Sequence, residues 1–379
     1  MTTTADARST TSVGQLWLTD FRCLRDVELD LAPGLTVLHG ANGQGKTSLL
    51  EAIGWIARSR SFRGVGDAML VRSGASSAIL RARIHTGDRE QLFEAEIRAA
   101  GRNRVLCNRQ PVLRARDLHG MLRVTVFSPD DLALVKDGPA KRREFLDELL
   151  GMLAVRYDAA RADYERVLKQ RNALLRGRIH DDDARSTLAV FDDQLVHAGT
   201  ELVRGRLQLL DRLTPSIAAA YERLAGDTRP VTGTYEAEWS PEPLDASHVE
   251  AVESRLHEAL GARRRAELER GITLVGPHRD EWRLTIGGLD ARAQASQGEQ
   301  RTLALALRLA GHEVVRELTG TAPVLLLDDV FSELDDARSI ALVRHLPLGQ
   351  TLLTTAGTLP VDVVAQRSLV VRAGRVEAL

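Results

Sequence analysis

The sequence predicts an α/β protein, a mixed sheet built around a phosphate loop, with a helical arm inserted into it. Three observations carry that prediction. Gly40-Ala41-Asn42-Gly43-Gln44-Gly45-Lys46-Thr47 fits the Gly-x4-Gly-Lys-Thr pattern between a strand-like run at 35–39 and a helix-like run at 47–53. Val324-Leu325-Leu326-Leu327-Asp328-Asp329 reads as a buried parallel strand that ends in two carboxylates. Between them the apolar period changes from two to three and four, the spacing of helices.

In chain order, residues 14–18, 27–31 and 35–39 read as strands before the loop, and 78–85, 91–98 and 104–107 continue a sheet after it. In the loop, glycines let backbone N–H groups turn inward on phosphate oxygens. Lys46 reaches the β- and γ-phosphates, the Thr47 hydroxyl is placed for Mg²⁺, and Ser48 stands beside it as a further nucleotide contact. From residue 139, Phe145, Leu149, Leu153, Tyr157, Tyr164, Leu168 and Leu175 mark one helical face, and Leu188, Phe191, Leu195, Leu202, Leu209, Leu213 and Ile217 a second. The polar break at 177–183 separates them, which predicts an antiparallel pair of helices of roughly 30 residues, about 45 Å each. A segment at 231–239 and a helix over 249–270 complete the arm, and the chain returns to the head near Gly276. The expected divisions are therefore 1–138, the first lobe with the phosphate loop; 139–275, the helical arm; and 276–379, the second part of the head.

Two uncompensated aspartates after a buried strand raise each other's pKa, a cost that a metal removes. Asp328 is accordingly the expected Mg²⁺ ligand. Asp329 is the group expected to orient or deprotonate an attacking water, with Lys46 as its catalytic companion. Ala295-Ser296-Gln297-Gly298-Glu299-Gln300 leads into an apolar helix and offers a second anion-binding helix N-terminus. One nucleotide pocket has no evident need of two such sites, so Ser296, Gly298 and Gln300 are expected to serve the γ-phosphate bound by a second subunit. An N-cap by Ser296 with Glu299 three residues on, a capping box, explains the same residues, and the two roles are compatible.

These elements, with Ser332-Glu333-Leu334-Asp335, resemble the ATP-binding-cassette heads of the chromosome-maintenance and DNA-repair ATPases, and most nearly the RecF family. Residues 129–147 and 325–335 match stretches specific to that family, and 16–24 and Gly276-Pro277-His278-Arg279-Asp280 also fit, so the resemblance runs from about residue 14 onward. It implies an ABC-type ATPase head, a mixed sheet plus P-loop core, whose inserted arm resembles a short antiparallel coiled coil. It also implies ATP and Mg²⁺ as cofactors and Asp335 and Thr355 as further nucleotide contacts. The activity implied is that of a weak DNA-dependent ATPase in the cytoplasm. An ATP-induced homodimer would bind single- and double-stranded DNA at gaps and help load recombinase, with RecR and RecO as partners, in repair, replication and the SOS response. Transporter cassettes carry Glu at Asp329 and a His where this chain has Thr354-Thr355; RecF proteins share both substitutions. A shorter carboxylate and no imidazole donor predict slow hydrolysis. The cassette Gln is not identifiable in this chain; the loop at 127–131 occupies its place, which leaves that metal contact unassigned.

The 379-residue chain, 44% apolar and 27% charged, has an ordinary globular balance with no membrane-spanning run and no signal peptide, so no membrane partner is expected. Cys23 and Cys107 each fall in an apparent strand, which predicts reduced core thiols. The histidines lack metal-ligand spacing, and His278 alone is a functional candidate, through its place in 276–280. A net charge of −1 gives no global pull on a polyanion, so contacts to DNA must come from local clusters. Candidates are Arg98 to Arg116 (six arginines, no acid), Lys141-Arg142-Arg143, Arg161 to Arg178 and Arg263-Arg264-Arg265. Phosphate contacts of this kind favour DNA structure over sequence, and aromatics at 4% are too few for a stacking platform. Three rivals remain: a chromosome-tethering protein, which differs in arm length; a transporter ATPase subunit, which the missing His disfavours; and a cassette-headed nuclease, for whose metal domain no sequence is left.

Overall fold

β1 (Thr11–Phe21) and β2 (Leu24–Asp30) form a hairpin, and β3 (Leu35–His39) leads into the phosphate loop and α1 (Lys46–Arg58). β4 (Ser77–Thr86), β5 (Arg89–Arg98), β6 (Arg104–Cys107) and β7 (Gln110–Pro111) follow as a meander, then β8 (Val124–Phe127). The helical middle comprises α2 (Ala133–Lys136), α3 (Pro139–Leu153), α4 (Val155–Arg176), α5 (Asp182–Ala225), β9 (Val231–Glu236), α6 (Val249–Arg270), β10 (Glu281–Ile286) and β11 (Leu289–Asp290). The chain closes with α7 (Gln297–Thr319), β12 (Val324–Leu327), α8 (Asp336–Arg344), β13 (Thr351–Thr355), β14 (Arg367–Arg372) and β15 (Arg375–Ala378). This computed structural model describes residues 10–112, 118, 120–177, 182–360 and 363–379. Two units emerge, one from the chain up to Asp131 with Ala220–Asp227 and Gln297–Leu379, the other from Leu132–Ala219 and Thr228–Ser296. The re-entry into the first unit thus falls at Gln297, where the sequence suggested a return near Gly276.

The first unit holds two six-stranded sheets, an antiparallel one in the order β2-β1-β4-β5-β6-β7 and a largely parallel one in the order β15-β14-β3-β13-β12-β8. α1 touches β1 and β4 of the first and β13 and β8 of the second, and Leu49 through Ile56 are all buried. A helix apolar nearly all round belongs between two layers, and each fully buried Leu or Ile there is worth about 1.5–3 kcal/mol. β8, β12 and β13 are buried at every position, as expected of central parallel strands covered on both faces. Because β3, β13, β12 and β8 run parallel, their C-terminal ends open onto one edge of the sheet, where ligands of open α/β sheets bind. The cysteines depart from expectation: Cys23 is exposed in the β1–β2 turn and Cys107 only half-buried at the end of β6, both free thiols.

In the second unit α4, α5 and α6 share an apolar core of Tyr164, Val167, Leu195, Leu202, Leu256 and Leu260, so the expected helical pair is a packing of three. α5 runs for 44 residues, about 66 Å, straight through Pro215, well beyond the expected length. The first expected helix is instead two, divided at Ala154, whose extended backbone (φ −157°, ψ 138°) no breaker residue announces. Of the polar break at 177–183, residues 178–181 lie outside those described. A buried ionic cluster ties the three helices together. Arg171 donates to Asp192 (2.8 Å), Glu267 (2.6 Å) and the Thr273 hydroxyl (2.8 Å), and Arg264 also pairs with Asp192.

The Gly276–Asp280 stretch is a second polar hub of this unit. His278 Nδ1 lies 2.6 Å from the Tyr164 hydroxyl, and burial pushes its pKa down to about 4, so the ring is neutral and accepts from that hydroxyl. Arg206 grips Asp147 through two 2.8 Å bonds and donates to the Pro277 carbonyl. Asp280 accepts from Tyr235 (2.6 Å) and Trp239 (2.7 Å), and burial raises its pKa to about 6. These contacts give His278 a structural role.

Candidate nucleotide site

The phosphate loop leaves β3 with Gly40, Gly43 and Gly45 at φ 152°, 78° and 109°, in the region that favours glycine. Two of the three are also pinned by space. A Cβ on Gly40 would stand 2.4 Å from the Val371 carbonyl oxygen, and one on Gly45 2.9 Å from Cys23 Sγ. Gln44 is a latch: its side-chain oxygen accepts from the Ala373 N–H (2.6 Å) and its carbonyl from the Gly374 N–H (3.1 Å), clipping the loop to the β14–β15 hairpin. Ala41, Asn42 and Gly43 form the exposed crest, while Ser48 is buried, its hydroxyl 3.9 Å from Cys23 Sγ.

Lys46 opens α1, is buried, and donates from Nζ to the carbonyls of Gly40 (2.7 Å) and Ala41 (2.9 Å). Burial lowers its pKa, and the charges of Asp329 and Asp328 act in the opposite direction. No acidic residue occupies the first turn of α1, so the N-terminal dipole and free N–H groups face the loop uncompensated, as an anion site requires.

Asp328 follows β12 and Asp329 follows it in turn. One oxygen of Asp328 accepts from both the Thr47 hydroxyl (2.9 Å) and the Thr354 hydroxyl (2.8 Å), across 281 and 26 residues of chain. The Thr354 oxygen also accepts the Asp329 N–H (2.8 Å), so one buried side chain fixes the carboxylate of the first aspartate and the backbone of the second. Asp329 is left-handed (φ 48°, ψ 35°), a conformation that costs a non-glycine residue about 1–2 kcal/mol, and the turn is braced by the Ser332 hydroxyl on its carbonyl (2.8 Å). Burial raises the pKa of Asp328, its two hydroxyl donors lower it, Asp329 raises it, and the Arg63 guanidinium lowers it. Sequence reasoning missed Thr354 and Arg63. Thr355, chosen in place of Thr354, offers its carbonyl to the Gly40 N–H (3.3 Å), while its hydroxyl accepts from the Gly357 N–H (3.1 Å).

The donor set fits a small hard cation bound with a nucleotide. Asp328 and Thr47 supply one carboxylate and one hydroxyl, the few protein oxygens that Mg²⁺ takes when substrate phosphates and water complete its shell. Ser296 immediately precedes α7, and Gly298 and Gln300 lie in its first turn. Asp335 caps α8 through the Arg338 N–H (2.9 Å) and pairs with the Arg338 guanidinium, which would lie 3.5 Å from a Cβ on Gly298. Arg338 thereby joins the turn after the aspartates to the start of α7. In the loop at 127–131, Asp131 accepts from the Ser128 N–H (2.8 Å) and pairs with Arg308 of α7 (2.7 Å).

The basic runs are divided between open surface and internal ion pairs. Arg142 is buried on Glu281 (2.9 and 2.8 Å), and Arg143 donates to the Asp280 carbonyl (2.7 Å). Arg98 pairs with Glu96, and Arg171 lies in the core. Arg114, Arg116 and Arg178 lie outside the described residues.

Known proteins place the chain in a family. The family described as RecF/RecN/SMC N terminal domain matches residues 12–352. The DNA replication and repair protein RecF of Frankia alni is 46% identical over 372 residues, covering 95% of this chain and 98% of that one. Its namesake from Streptomyces avermitilis is 45% identical over 351 residues, covering 91% and 93%. The solved structure of the recombination mediator protein RecF-ATP in the RecFOR pathway aligns with a TM-score of 0.89 at 28% identity, over 98% of this chain and 99% of that one. The Smc head domain with an extended coiled coil from Pyrococcus furiosus shares the fold alone, with a TM-score of 0.58 at 15% identity over 98% and 96% of the two chains. No helix among the described residues is long and apolar enough to cross a membrane. An ABC-type ATPase head interrupted by a helical unit is thus the fold, and the chain belongs to the RecF family of DNA replication and repair proteins.

Proposed function

We propose that the protein is an ATP-gated DNA-binding ATPase of recombinational repair, acting in the cytoplasm at gaps between single- and double-stranded DNA. The observation that carries this reading is the meeting of Thr47 and Asp328 at 2.9 Å beside Lys46, which assembles phosphate, metal and water positions at one sheet edge. ATP would lie on the N–H groups of the 40–47 loop, with Lys46 turning from the loop carbonyls to the phosphates. Mg²⁺ held by Thr47 and Asp328 would supply charge neutralisation on the transferred phosphoryl group. Asp329 orients the attacking water, and Thr354 holds Asp329 in place. Ser296, Gly298 and Gln300 of a second copy would close over the γ-phosphate, so that ATP favours a dimer through contacts the open state lacks. Hydrolysis by an aspartate without an imidazole partner is slow, which suits a timer. A relative described as RecF-ATP in the RecFOR pathway supports ATP as ligand and RecO and RecR as partners.

Thr354→Val keeps the shape of the side chain and removes both hydrogen bonds. Single-turnover phosphate release is expected to slow about 10- to 100-fold, that is, by roughly 1.4–2.7 kcal/mol, with ATP affinity within about threefold of wild type and Thr354→Ser recovering most of the rate. Equal loss in the Ser and Val variants would show that packing, not the hydroxyl, matters. Ser296→Arg should leave ATP binding intact and block ATP-dependent dimers; dimers that still form would remove Ser296 from the interface. The reading as a whole is tested by sedimentation with a labelled gapped duplex, with and without ATP·Mg²⁺. An ATP-driven, DNA-bound dimer that decays with hydrolysis is expected, and nucleotide binding with no change in mass or DNA occupancy would refute the gate.

A further inference from the structure

The run Arg263-Arg264-Arg265 is divided by the helix it lies on. Arg264 turns onto Asp192 and Arg265 onto Glu269, but Arg263 lines a cleft of about 220 Å³ in the helical unit, together with Glu238, Trp239, Arg270, Arg279 and Asp280. Arg263 and Arg270 are exposed on α6, seven residues and so about 10 Å apart on one face. Neither has an ion-pair or hydrogen-bond partner among the described residues. Arg279 directs Nε and Nη2 at the Thr273 carbonyl (3.1 and 3.0 Å), which holds its guanidinium at the cleft. Opposing charge is limited: Asp280 is buried, with its oxygens occupied by Tyr235 and Trp239, which leaves Glu238 as the exposed carboxylate of the lining. The bond from Trp239 Nε1 to Asp280 also fixes the indole in the wall, a flat apolar face beside three cations.

We propose that this cleft binds the phosphodiester backbone of DNA, with Arg263 and Arg270 contacting phosphates on one strand and Trp239 covering the sugar or base between them. A separation of about 10 Å along the helix is more than a single phosphate group can bridge, and long arginine side chains spaced so can reach separate phosphates of one strand. Two guanidiniums without partners, spaced so and beside an aromatic, suit a repeating anion carrying flat groups. The inference rests on the DNA-binding reading above and gives that reading an address.

The test measures affinity for a fluorescein-labelled gapped duplex, with ATP·Mg²⁺, across a salt series, for wild type, Arg263→Ala/Arg270→Ala and Arg265→Ala. Arg265 is 93% exposed and paired with Glu269, which makes it the control for loss of surface charge. The double variant is expected to bind about tenfold more weakly, with a log–log salt slope lower by about 2, roughly 0.9 for each lost phosphate contact, and with ATP-driven dimerisation unchanged. The Arg265 variant should stay within about twofold of wild type. A double variant equal to wild type in affinity and slope overturns the cleft while leaving DNA binding in place. A wild type that gains no DNA affinity with ATP refutes both readings together.

Discussion

Lys46→Met is expected to lower ATP affinity by at least about 100-fold and to abolish ATP-dependent dimerisation and DNA binding together. The side chain lies buried in the loop, its ammonium held by the carbonyls of Gly40 and Ala41. Burial lowers its pKa, so the ammonium is already partly stripped of water and gains correspondingly on meeting phosphate. Two charge-assisted bonds at about 1.5–3 kcal/mol each account for the magnitude. Methionine preserves the stem and its packing, and Gln44 still clips the loop to residues 373 and 374, so the fold is expected to survive. Isothermal titration with ATP and sedimentation with DNA check the two halves. A variant that binds ATP poorly yet gains DNA affinity with nucleotide would separate the loop from the gate.

Arg171→Leu is expected to destabilise the helical unit by about 3–5 kcal/mol. Arg171 is fully buried, and its removal strands Glu267, also fully buried, without its cation. Asp192 would retain Arg264, but Glu267 would keep only the Leu274 N–H (2.7 Å) and must protonate or admit water. Urea unfolding followed by far-UV circular dichroism reads the loss. The double replacement Arg171→Leu/Glu267→Leu should recover part of it, since an apolar pair leaves no orphan charge. A single-variant loss under about 1 kcal/mol would mean that water already reaches the cluster. Arg171 belongs to a run that resembles a DNA-binding surface in sequence, so unchanged DNA affinity in the folded variant is part of the expectation.

The comparison of Arg171 with Lys46 shows what sequence can and cannot disclose. The phosphate loop and the acidic strand are local: their residue types and spacing state their chemistry, and β3, α1 and β12 fall where that spacing puts them. The arginine runs are not local. Whether a guanidinium faces water depends on a carboxylate far along the chain, as for Arg142 and Glu281, 139 residues apart. Thr354 escaped notice for a related reason. In Leu352-Leu353-Thr354-Thr355 both threonines look like strand filler, and only the pairing of β12 with β13 turns one hydroxyl toward Asp328 and the other toward Gly357. Helix lengths failed differently: apolar spacing showed where α5 packs, but its continuation through Pro215 and the break at Ala154 depend on packing that no residue type announces.

The clip between Gln44 and residues 373 and 374 also sets an order of events during synthesis. β3 and its loop leave the ribosome early, but the strands flanking β3 come from residues 351–355 and 367–372. Until those strands arrive, the loop has neither the Thr355 carbonyl for Gly40 nor the hairpin tip for Gln44. A growing chain therefore lacks these braces on the phosphate loop until about residue 374 is made.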